Sequence, residues 1–175
     1  MADNRECIVL GGGCFWCIEA VYRRIKGVTS TRPGYAGGTI ENPDYRQVST
    51  GETGHAEVVE LCFDTTAISL TTILEVFWRA HDPTTLNRQR NDIGSQYRSV
   101  VYYNNEAQKD VAETSLQGIK HAGTYTSPPV TEIEPLETFW PAEEYHKDYF
   151  EANRNQSYCR MVIEPKLLKL ALMED

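Results

Sequence analysis

Two cysteines, Cys14 and Cys17, directly follow a run of three glycines and an apolar segment. The pattern predicts that a glycine turn leads into a helix that begins near Cys14, with Cys17 one turn further along. At a helix start, the unpaired N–H groups and the positive end of the helix dipole favour a thiolate over a thiol. Because the thiolate is the reactive form, Cys14 is the predicted nucleophile of a covalent reaction at sulfur.

Two bulky aromatic side chains, Phe15 and Trp16, lie between these cysteines. On a helix, Phe15 lies at the edge of the core-facing stripe, whereas Trp16 points to nearly the opposite side. A tryptophan outside the buried face needs another partner, which a ligand, a second subunit or the glycine-rich loop over 37–54 could supply. The aromatic pair therefore favours a reaction on a small apolar group.

A carboxylate stands on the apolar face of the clearest predicted strand, which runs from His55 to Phe63. Side chains alternate along a strand, so Glu57 shares its face with Val59 and Leu61. Burial there raises the pKa of a carboxyl group and makes it a candidate proton donor near neutral pH. A glutamate at the strand end that reaches solvent is the plainer alternative, and the residues alone leave both open.

Two tyrosines and an aspartate lie in or beside the long polar loops: Tyr45, Tyr97 and Asp92. A phenol hydroxyl near a thiol and a carboxyl group can bind a polar oxygen without carrying charge. Each tyrosine alone is more typical of a half-buried packing residue, and Asp92 alone of a loop or cap residue. Only their combination with Cys14 and Glu57 indicates a site.

The remaining cysteines differ in their predicted surroundings. Cys7 and Cys62 fall in strands and are predicted to be inert buried thiols, the common state of a free cysteine. Cys159 lies in an irregular tail, from which a thiol could swing to meet a partner. Because the chain has five cysteines and no sign of secretion, a structural disulfide framework is not expected.

A Cys-x-x-Cys pair has two other common functions besides nucleophilic catalysis. A structural zinc site needs four ligands at short spacing, but the histidines and remaining cysteines are scattered, so no metal is expected. Thioredoxin-type disulfide exchange is the stronger rival, since Cys-x-x-Cys at a helix start is typical of it. The glycine- and tyrosine-rich loops around the motif suit a small-molecule pocket better.

The order of predicted elements indicates the fold class. Strands are predicted at 7–10, 28–35, 55–63, 98–103 and 130–133, and helices at 14–25, 70–81, 106–121 and 141–152. Several connections are too short for parallel crossovers. We therefore expect an α+β, two-layer domain with a mixed, largely antiparallel sheet, a ferredoxin-like core and long functional loops at 37–54 and 84–96. One catalytic domain is expected over 1–175, with an irregular C-terminal tail from about 153 that ends in a short helix after Pro165.

Composition narrows the functional class. The 175-residue chain has 41% hydrophobic and 24% charged residues, which is ordinary for a soluble globular protein. Its net charge of −8 argues against nucleic-acid binding. The sequence contains neither a bilayer-spanning apolar run nor a signal-peptide pattern at its N-terminus. We expect a cytoplasmic monomer with no membrane partner.

Several motifs together resemble the class A peptide methionine sulfoxide reductases, and the match covers nearly the whole chain. The motifs are Gly13-Cys14-Phe15-Trp16-Cys17, Gly34-Tyr35-Ala36-Gly37-Gly38, Asn42-Pro43-Asp44-Tyr45, Thr53-Gly54-His55-Ala56-Glu57, His81-Asp82-Pro83-Thr84, Asp92-Ile93-Gly94-Ser95-Gln96-Tyr97-Arg98-Ser99, Glu144-Tyr145-His146 and Tyr158-Cys159. The resemblance implies reduction of the S epimer of methionine sulfoxide, free or in peptides and proteins, as repair of oxidative damage.

The resemblance also implies a role for each candidate residue. Cys14 takes the sulfoxide oxygen and becomes a sulfenic acid, while Glu57 protonates that oxygen. Tyr45 and Tyr97 assist by hydrogen bonding. Phe15 and Trp16 enclose the methyl group of the substrate, and Asp92 helps to position the substrate.

The second thiol is where this chain departs from the family pattern. Many members have glycine at the position of Cys17 and a further cysteine after the one that matches Cys159; this chain has Cys17, and no cysteine follows Cys159. Either Cys17 or Cys159 could convert the sulfenic acid to a disulfide, or both could act in relay. The resemblance implies no bound cofactor and an external dithiol, thioredoxin, as reductant.

Overall fold

The computed structural model describes residues 3–172. Within them, a sheet of six strands has the order β7-β6-β1-β3-β2-β8, in which only β6 and β7 pair in parallel. Its strands are β1 (Arg5–Gly11), β2 (Val28–Ala36), β3 (Ala56–Asp64), β6 (Val100–Tyr103), β7 (Glu132–Pro135) and β8 (Trp140–Pro141). A separate small hairpin consists of β4 (Arg88–Gln89) and β5 (Asp92–Ile93).

The helices are α1 (Phe15–Tyr22), α2 (Tyr45–Ser49), α3 (Leu70–Ala80), α4 (Glu106–His121), α5 (Tyr149–Ala152) and α6 (Glu164–Lys169). Helices α1, α3 and α4 pack on one face of the sheet, and the strand order β6-β1-β3-β2 at its centre is that of a ferredoxin-like core. The predicted α+β architecture with a largely antiparallel, open sheet is confirmed. Within residues 3–172, no helix combines the length and the apolar character needed to cross a bilayer.

Local sequence signals explain the helices that position the site. Ser69 caps α3 and Asn105 caps α4, each accepting the backbone N–H three residues further on, which satisfies a donor that the helix start leaves free. Leu70, Ile73, Leu74 and Phe77 give α3 its buried face.

The sheet buries apolar residues on both faces. The helix-side core includes Ile8 and Leu10 of β1 with Leu61 and Phe63 of β3. The opposite face carries a smaller cluster that includes Val9 and Val58, covered in part by Phe139. Because neighbouring side chains on a strand point to opposite faces, this division places every odd residue of β3 from Glu57 onward on the helix side.

Cys7 and Cys62 form a disulfide across β1 and β3, so the prediction of two inert thiols is wrong. The two residues are direct partners in the antiparallel register, with Cα atoms 4.0 Å apart. Strand assignment alone could not pair them, because the register depends on contacts 55 residues apart in sequence. Cys14, Cys17 and Cys159 are free.

The predicted loops and the C-terminal third contain more structure than expected. The loop over 37–54 contains α2, which begins with a capping box formed by Asp44 and Gln47. The predicted helix over 141–152 is largely wrong: Pro141 pairs with Gly34 in the sheet, and Asp148 has a φ of 54°. The predicted irregular tail contains an unexpected π-helical turn, Cys159–Ile163, and α6 follows it where a short helix after Pro165 was expected.

The disulfide predicts a measurable contribution to stability. Replacing both Cys7 and Cys62 by alanine removes the cross-link that restricts the unfolded chain, so we expect the free energy of unfolding to fall by about 2–4 kcal/mol. Urea unfolding of the oxidised protein and of the double variant measures the difference. Wild-type protein treated with a dithiol reductant is the matched control and should behave as the variant does. Equal stability of the oxidised and variant proteins would contradict the prediction.

Candidate active site

Cys14 lies at the N-cap of α1, immediately after the glycine turn. A Cβ atom on Gly12 would lie 2.9 Å from the His81 ring, and one on Gly13, whose φ is +94°, would lie 2.8 Å from the Gln89 side chain. Only glycine fits both the space and the positive φ at Gly13. The Cys14 carbonyl accepts the N–H groups of Cys17 and Ile18. The turn therefore begins the helix at Cys14, as the sequence predicts.

Glu57 lies on the helix-side face of β3 and is 1% exposed. Its Oε1 accepts the backbone N–H of Phe15 at 3.1 Å, which ties the carboxyl group to the start of α1. Its Oε2 has no hydrogen-bond partner among the described residues. Burial raises the pKa of Glu57 to about 8, so the carboxyl group is mainly protonated at neutral pH.

Cys14, at the N-cap of α1, and Cys17, in its first turn, each shift the pKa of the other thiol. Burial is the main cause that raises the pKa of Cys14, and its hydrogen bond with Cys17 and the charge of Glu57 act in the same direction. The hydrogen bond with Cys14 lowers the pKa of Cys17 to about 6. The prediction that the helix start holds Cys14 ionised is therefore wrong, because burial of that sulfur outweighs the helix terminus and the charge rests on Cys17.

A tyrosine from the C-terminal segment connects Cys17 with Asp92. The Tyr158 hydroxyl donates to Oδ2 of Asp92 at 2.6 Å and lies 3.5 Å from Sγ of Cys17. The hydroxyl and the charge of Lys166, on α6, both lower the pKa of the Cys17 thiol. Through this hydrogen bond, Asp92 holds Tyr158 against Cys17, one of the two candidates for the resolving cysteine.

Aromatic rings wall the space beside the thiols. Trp16 stacks on Tyr149 with ring centroids 3.8 Å apart, and its indole N–H donates to Nδ1 of His146 at 2.9 Å. Phe15 packs between Tyr45 and His146, with centroid distances of 6.2 and 4.9 Å. Trp16 thus has its closest ring partner in the C-terminal segment, while Tyr45 of the glycine-rich loop also lies beside it, with ring centroids 6.2 Å apart.

Tyr45 and Tyr97 are half-buried and share this environment. For both, burial is the main cause of a raised pKa, and the charge of Glu57 raises it further. A raised phenol pKa keeps each hydroxyl protonated and available as a neutral donor. Glu143 fixes Tyr45 by accepting its backbone N–H at 3.0 Å.

The structure brings together Cys14, Cys17, Glu57, Tyr45 and Tyr97 with the flanking aromatic residues. Asp92 also belongs to the site, through its contact with Tyr158. Cys159 is fully buried in the π-helical turn packed against α1, so the prediction of a thiol on a loose tail is wrong.

Sequence reasoning missed four residues that build the site: Glu143, His146, Tyr149 and Tyr158. All of them lie more than 80 residues beyond Glu57. His146 and Tyr158 stand in the quoted motifs Glu144-Tyr145-His146 and Tyr158-Cys159, which gave them no role, and Glu143 directly precedes the first of these motifs. Fully buried His146 accepts from Trp16 through Nδ1, and burial lowers its pKa, so the ring is neutral. These residues hold the aromatic wall in place.

The arrangement combines a thiol pair, a protonated acid and an aromatic enclosure. Thiols supply electrons and an oxygen acceptor, the acid supplies a proton to a departing oxygen, and the rings accept a small apolar group. These parts suit the reduction of an oxidised sulfur that carries a methyl group.

Comparisons with known proteins agree with this chemistry. A family model described as peptide methionine sulfoxide reductase matches residues 6–174. The chain is 52% identical over 165 residues to the peptide methionine sulfoxide reductase MsrA of Saccharolobus solfataricus, covering 94% of this chain and 92% of that protein. It is similar to the crystal structure of reduced Mxr1 from Saccharomyces cerevisiae, with a TM-score of 0.84, 31% identity, and coverage of 89% of this chain and 90% of that one. Mxr1 has also been solved in complex with Trx2, a structure with a TM-score of 0.60, 22% identity, and coverage of 85% and 88%.

The contact between Tyr158 and Cys17 yields a prediction about thiol ionisation. In Tyr158→Phe the hydroxyl beside Sγ is removed, so we expect the pKa of Cys17 to rise above about 6. Ultraviolet absorbance of the thiolate during a pH titration measures the shift. Tyr149→Phe is the matched control, because its hydroxyl donates to Gln156 and not to a thiol. An unchanged titration in Tyr158→Phe, or an equal rise in the control, would overturn the assignment.

Proposed function

This chain belongs to the peptide methionine sulfoxide reductase family and reduces the S epimer of methionine sulfoxide; from this premise we propose how its residues carry out the reaction. The observation that carries the proposal is the Glu57 carboxyl group. It is buried, protonated at neutral pH and free at Oε2, and it lies beside the start of α1. A proton donor in this position matches the need of a sulfoxide oxygen, which leaves poorly until it is protonated.

The first proposed step transfers oxygen from the substrate to Cys14. Its sulfur attacks the sulfoxide sulfur and forms a transient sulfur–sulfur bond, while its proton passes to the nearby Cys17 thiolate. Glu57 gives its proton to the sulfoxide oxygen, with Tyr45 and Tyr97 as neutral hydrogen-bond donors. The sulfur–oxygen bond of the substrate and the transient sulfur–sulfur bond then break as the hydroxyl group moves to Cys14 as a sulfenic acid, and methionine leaves reduced by two electrons. Phe15 and Trp16 would hold the methyl group.

The second proposed step forms a disulfide between Cys14 and Cys17. Cys17 lies one turn along α1, and Tyr158 and Lys166 lower the pKa of its thiol, whereas the charge of Asp92 opposes this. Cys17, which took up the Cys14 proton in the first step, attacks the sulfenic sulfur, and its proton passes to the hydroxyl group, which leaves as water. Cys17 is therefore our candidate for the resolving cysteine.

Cys159 is proposed to act after Cys17. Two observations support this order: the turn that carries Cys159 packs against α1, and burial followed by the charge of Cys17 raises the pKa of the Cys159 thiol. Attack of Cys159 on the Cys17 sulfur releases Cys14 and leaves a Cys17–Cys159 disulfide. Cys14 is then free before the external reductant acts.

Thioredoxin is the proposed external reductant, supported by the complex of the related Mxr1 with Trx2. Free methionine sulfoxide and oxidised proteins are the proposed substrates, and no bound cofactor is required because thiols supply both electrons. We propose a single catalytic domain, since Cys14, α1 and the C-terminal turn with Cys159 belong to one hydrophobic core. A monomer in the cytoplasm is also proposed, because that compartment contains the thioredoxin that would recycle the catalytic thiols.

The acid role of Glu57 predicts a pH-dependent rate. Below a pH of about 8 the carboxyl group carries its proton, so single-turnover reduction of the S epimer should be fast and should fall as pH rises through about 8. Glu57→Gln should lower the rate by about 10²–10⁴-fold and remove this alkaline decline. Cys14→Ser should show no reduction at all.

Rapid-quench measurement of methionine formed by the pre-reduced protein tests this, with the R epimer as the control substrate that should not react. A Glu57→Gln variant with the wild-type rate would reject the acid role. Reduction of insulin in place of methionine sulfoxide would favour thioredoxin-type exchange instead.

The proposed order of the thiols predicts distinct intermediates. After one equivalent of substrate, Cys159→Ser should contain a Cys14–Cys17 disulfide, whereas Cys17→Ser should accumulate a sulfenic acid at Cys14 that a dimedone probe traps. Only the double replacement of Cys17 and Cys159 should abolish recycling by thioredoxin, because in Cys17→Ser the Cys159 thiol can still resolve slowly on its own. Peptide mapping by mass spectrometry distinguishes these products. Rapid disulfide formation in Cys17→Ser would show instead that Cys159 resolves first.

A further inference from the structure

A second groove of about 790 Å³ lies between the β4–β5 hairpin, the end of α3 and helix α6. The basic side chains in its lining are far apart in sequence, and they are Arg79, Arg88, Arg90, Lys166 and Lys169. Among the described residues, Asp82 is the sole acidic side chain of the lining. The fold thus assembles a positively charged surface that the sequence, read linearly, does not show.

These cations are not compensated by neighbouring carboxylates in the described part of the chain. The ion pairs between residues 3–172 use other arginines, which are Arg23, Arg24, Arg32, Arg98 and Arg154. The Arg88 guanidinium donates to the backbone carbonyl of Arg90, which holds the loop but neutralises no charge. Since the whole chain has a net charge of −8, this groove is a local reversal of sign.

The groove adjoins the catalytic turn. Two of its lining residues, His81 and Gln89, lie against Gly12 and Gly13, directly before Cys14. The hairpin that carries Gln89 continues to Asp92, which holds Tyr158 at the thiol pair. A chain segment bound in the groove therefore lies beside a substrate side chain bound at Cys14.

The lining also contains apolar surface, from Trp78, Tyr125 and Leu170. Mixed apolar and cationic surface suits a polypeptide segment with acidic side chains better than a bare inorganic anion. A nucleic acid fits less well, because a long polyanion would meet the negative surface of this chain outside the groove.

We propose that the groove binds acidic side chains that flank methionine sulfoxide in protein substrates. Resting on the proposed function, this inference adds a sequence preference: oxidised methionines in acidic segments are reduced faster than those in neutral segments. Long-range attraction to the groove speeds encounter, and short-range pairing retains the segment while Cys14 reacts.

Two peptides of equal length test the inference, and each contains one methionine S-sulfoxide. Glutamates flank this residue on both sides in the acidic peptide, and glutamines flank it in the neutral peptide. With a small dithiol as reductant, the wild-type protein should show a kcat/KM about tenfold higher for the acidic peptide at low salt. Added salt should erase the difference. The triple variant Arg79→Gln, Arg90→Gln and Lys169→Gln should lose it, while its rate on free methionine sulfoxide stays at the wild-type level.

A second triple variant, Arg5→Gln, Lys26→Gln and Lys120→Gln, removes the same charge from exposed positions outside the groove and should keep the preference. An absent preference in the wild type, or an equal loss in both triple variants, would overturn the inference. A groove variant that keeps the peptide preference but has a raised KM for thioredoxin would also overturn it. The same holds if an RNA oligonucleotide displaces the bound acidic peptide at a lower concentration than unlabelled acidic peptide does. Failure to reduce free methionine S-sulfoxide would instead reject the proposed function itself.

Discussion

The hydrogen bond from the Phe15 N–H to the buried Glu57 carboxyl group joins the two halves of this site. It connects the middle strand of the core to the start of α1, and it satisfies one carboxyl oxygen while the other is left free. A buried carboxyl group with a single donor remains protonated, because one peptide N–H does not compensate for lost hydration. The position of Cys14, the orientation of α1 and the acid chemistry all depend on this contact.

Packing determines which of the two thiols, Cys14 or Cys17, carries the negative charge, and the result differs from what the local sequence indicates. The helix terminus favours ionisation at Cys14, but burial of that sulfur opposes it, and the negative charge moves to its neighbour. In the resting pair, the Cys17 thiolate is therefore a proton acceptor next to the Cys14 nucleophile. The nucleophile is ionised only as it reacts, which protects a reactive sulfur from unwanted oxidation between turnovers.

Sequence reasoning succeeded where structure is decided locally. Helix α4 is capped by Asn105 and has the predicted bounds, and alternation along β3 placed Glu57 on the apolar face. It failed where distant segments meet: the pairing of Cys7 with Cys62 depends on strand register, and the contact of Tyr158 with Cys17 spans 141 residues. The helix expected over 141–152 failed because sheet pairing of Pro141 outweighs its preference for a first helical turn. The ionisation of Cys14 failed for the same reason, since burial is a property of the whole fold.

The sheet has one further consequence for sulfur chemistry. The cross-strand disulfide lies on the face away from the helices, whereas the redox-active thiols lie on the helix side, and packed layers are separated by roughly 10 Å. Thiol exchange requires sulfur atoms in contact, so the sheet insulates a permanent cross-link from a catalytic couple that is oxidised and reduced at every turnover. Scrambling between the two systems would require β1 and β3 to separate, and the molecule can therefore cycle its electrons without risking its own framework.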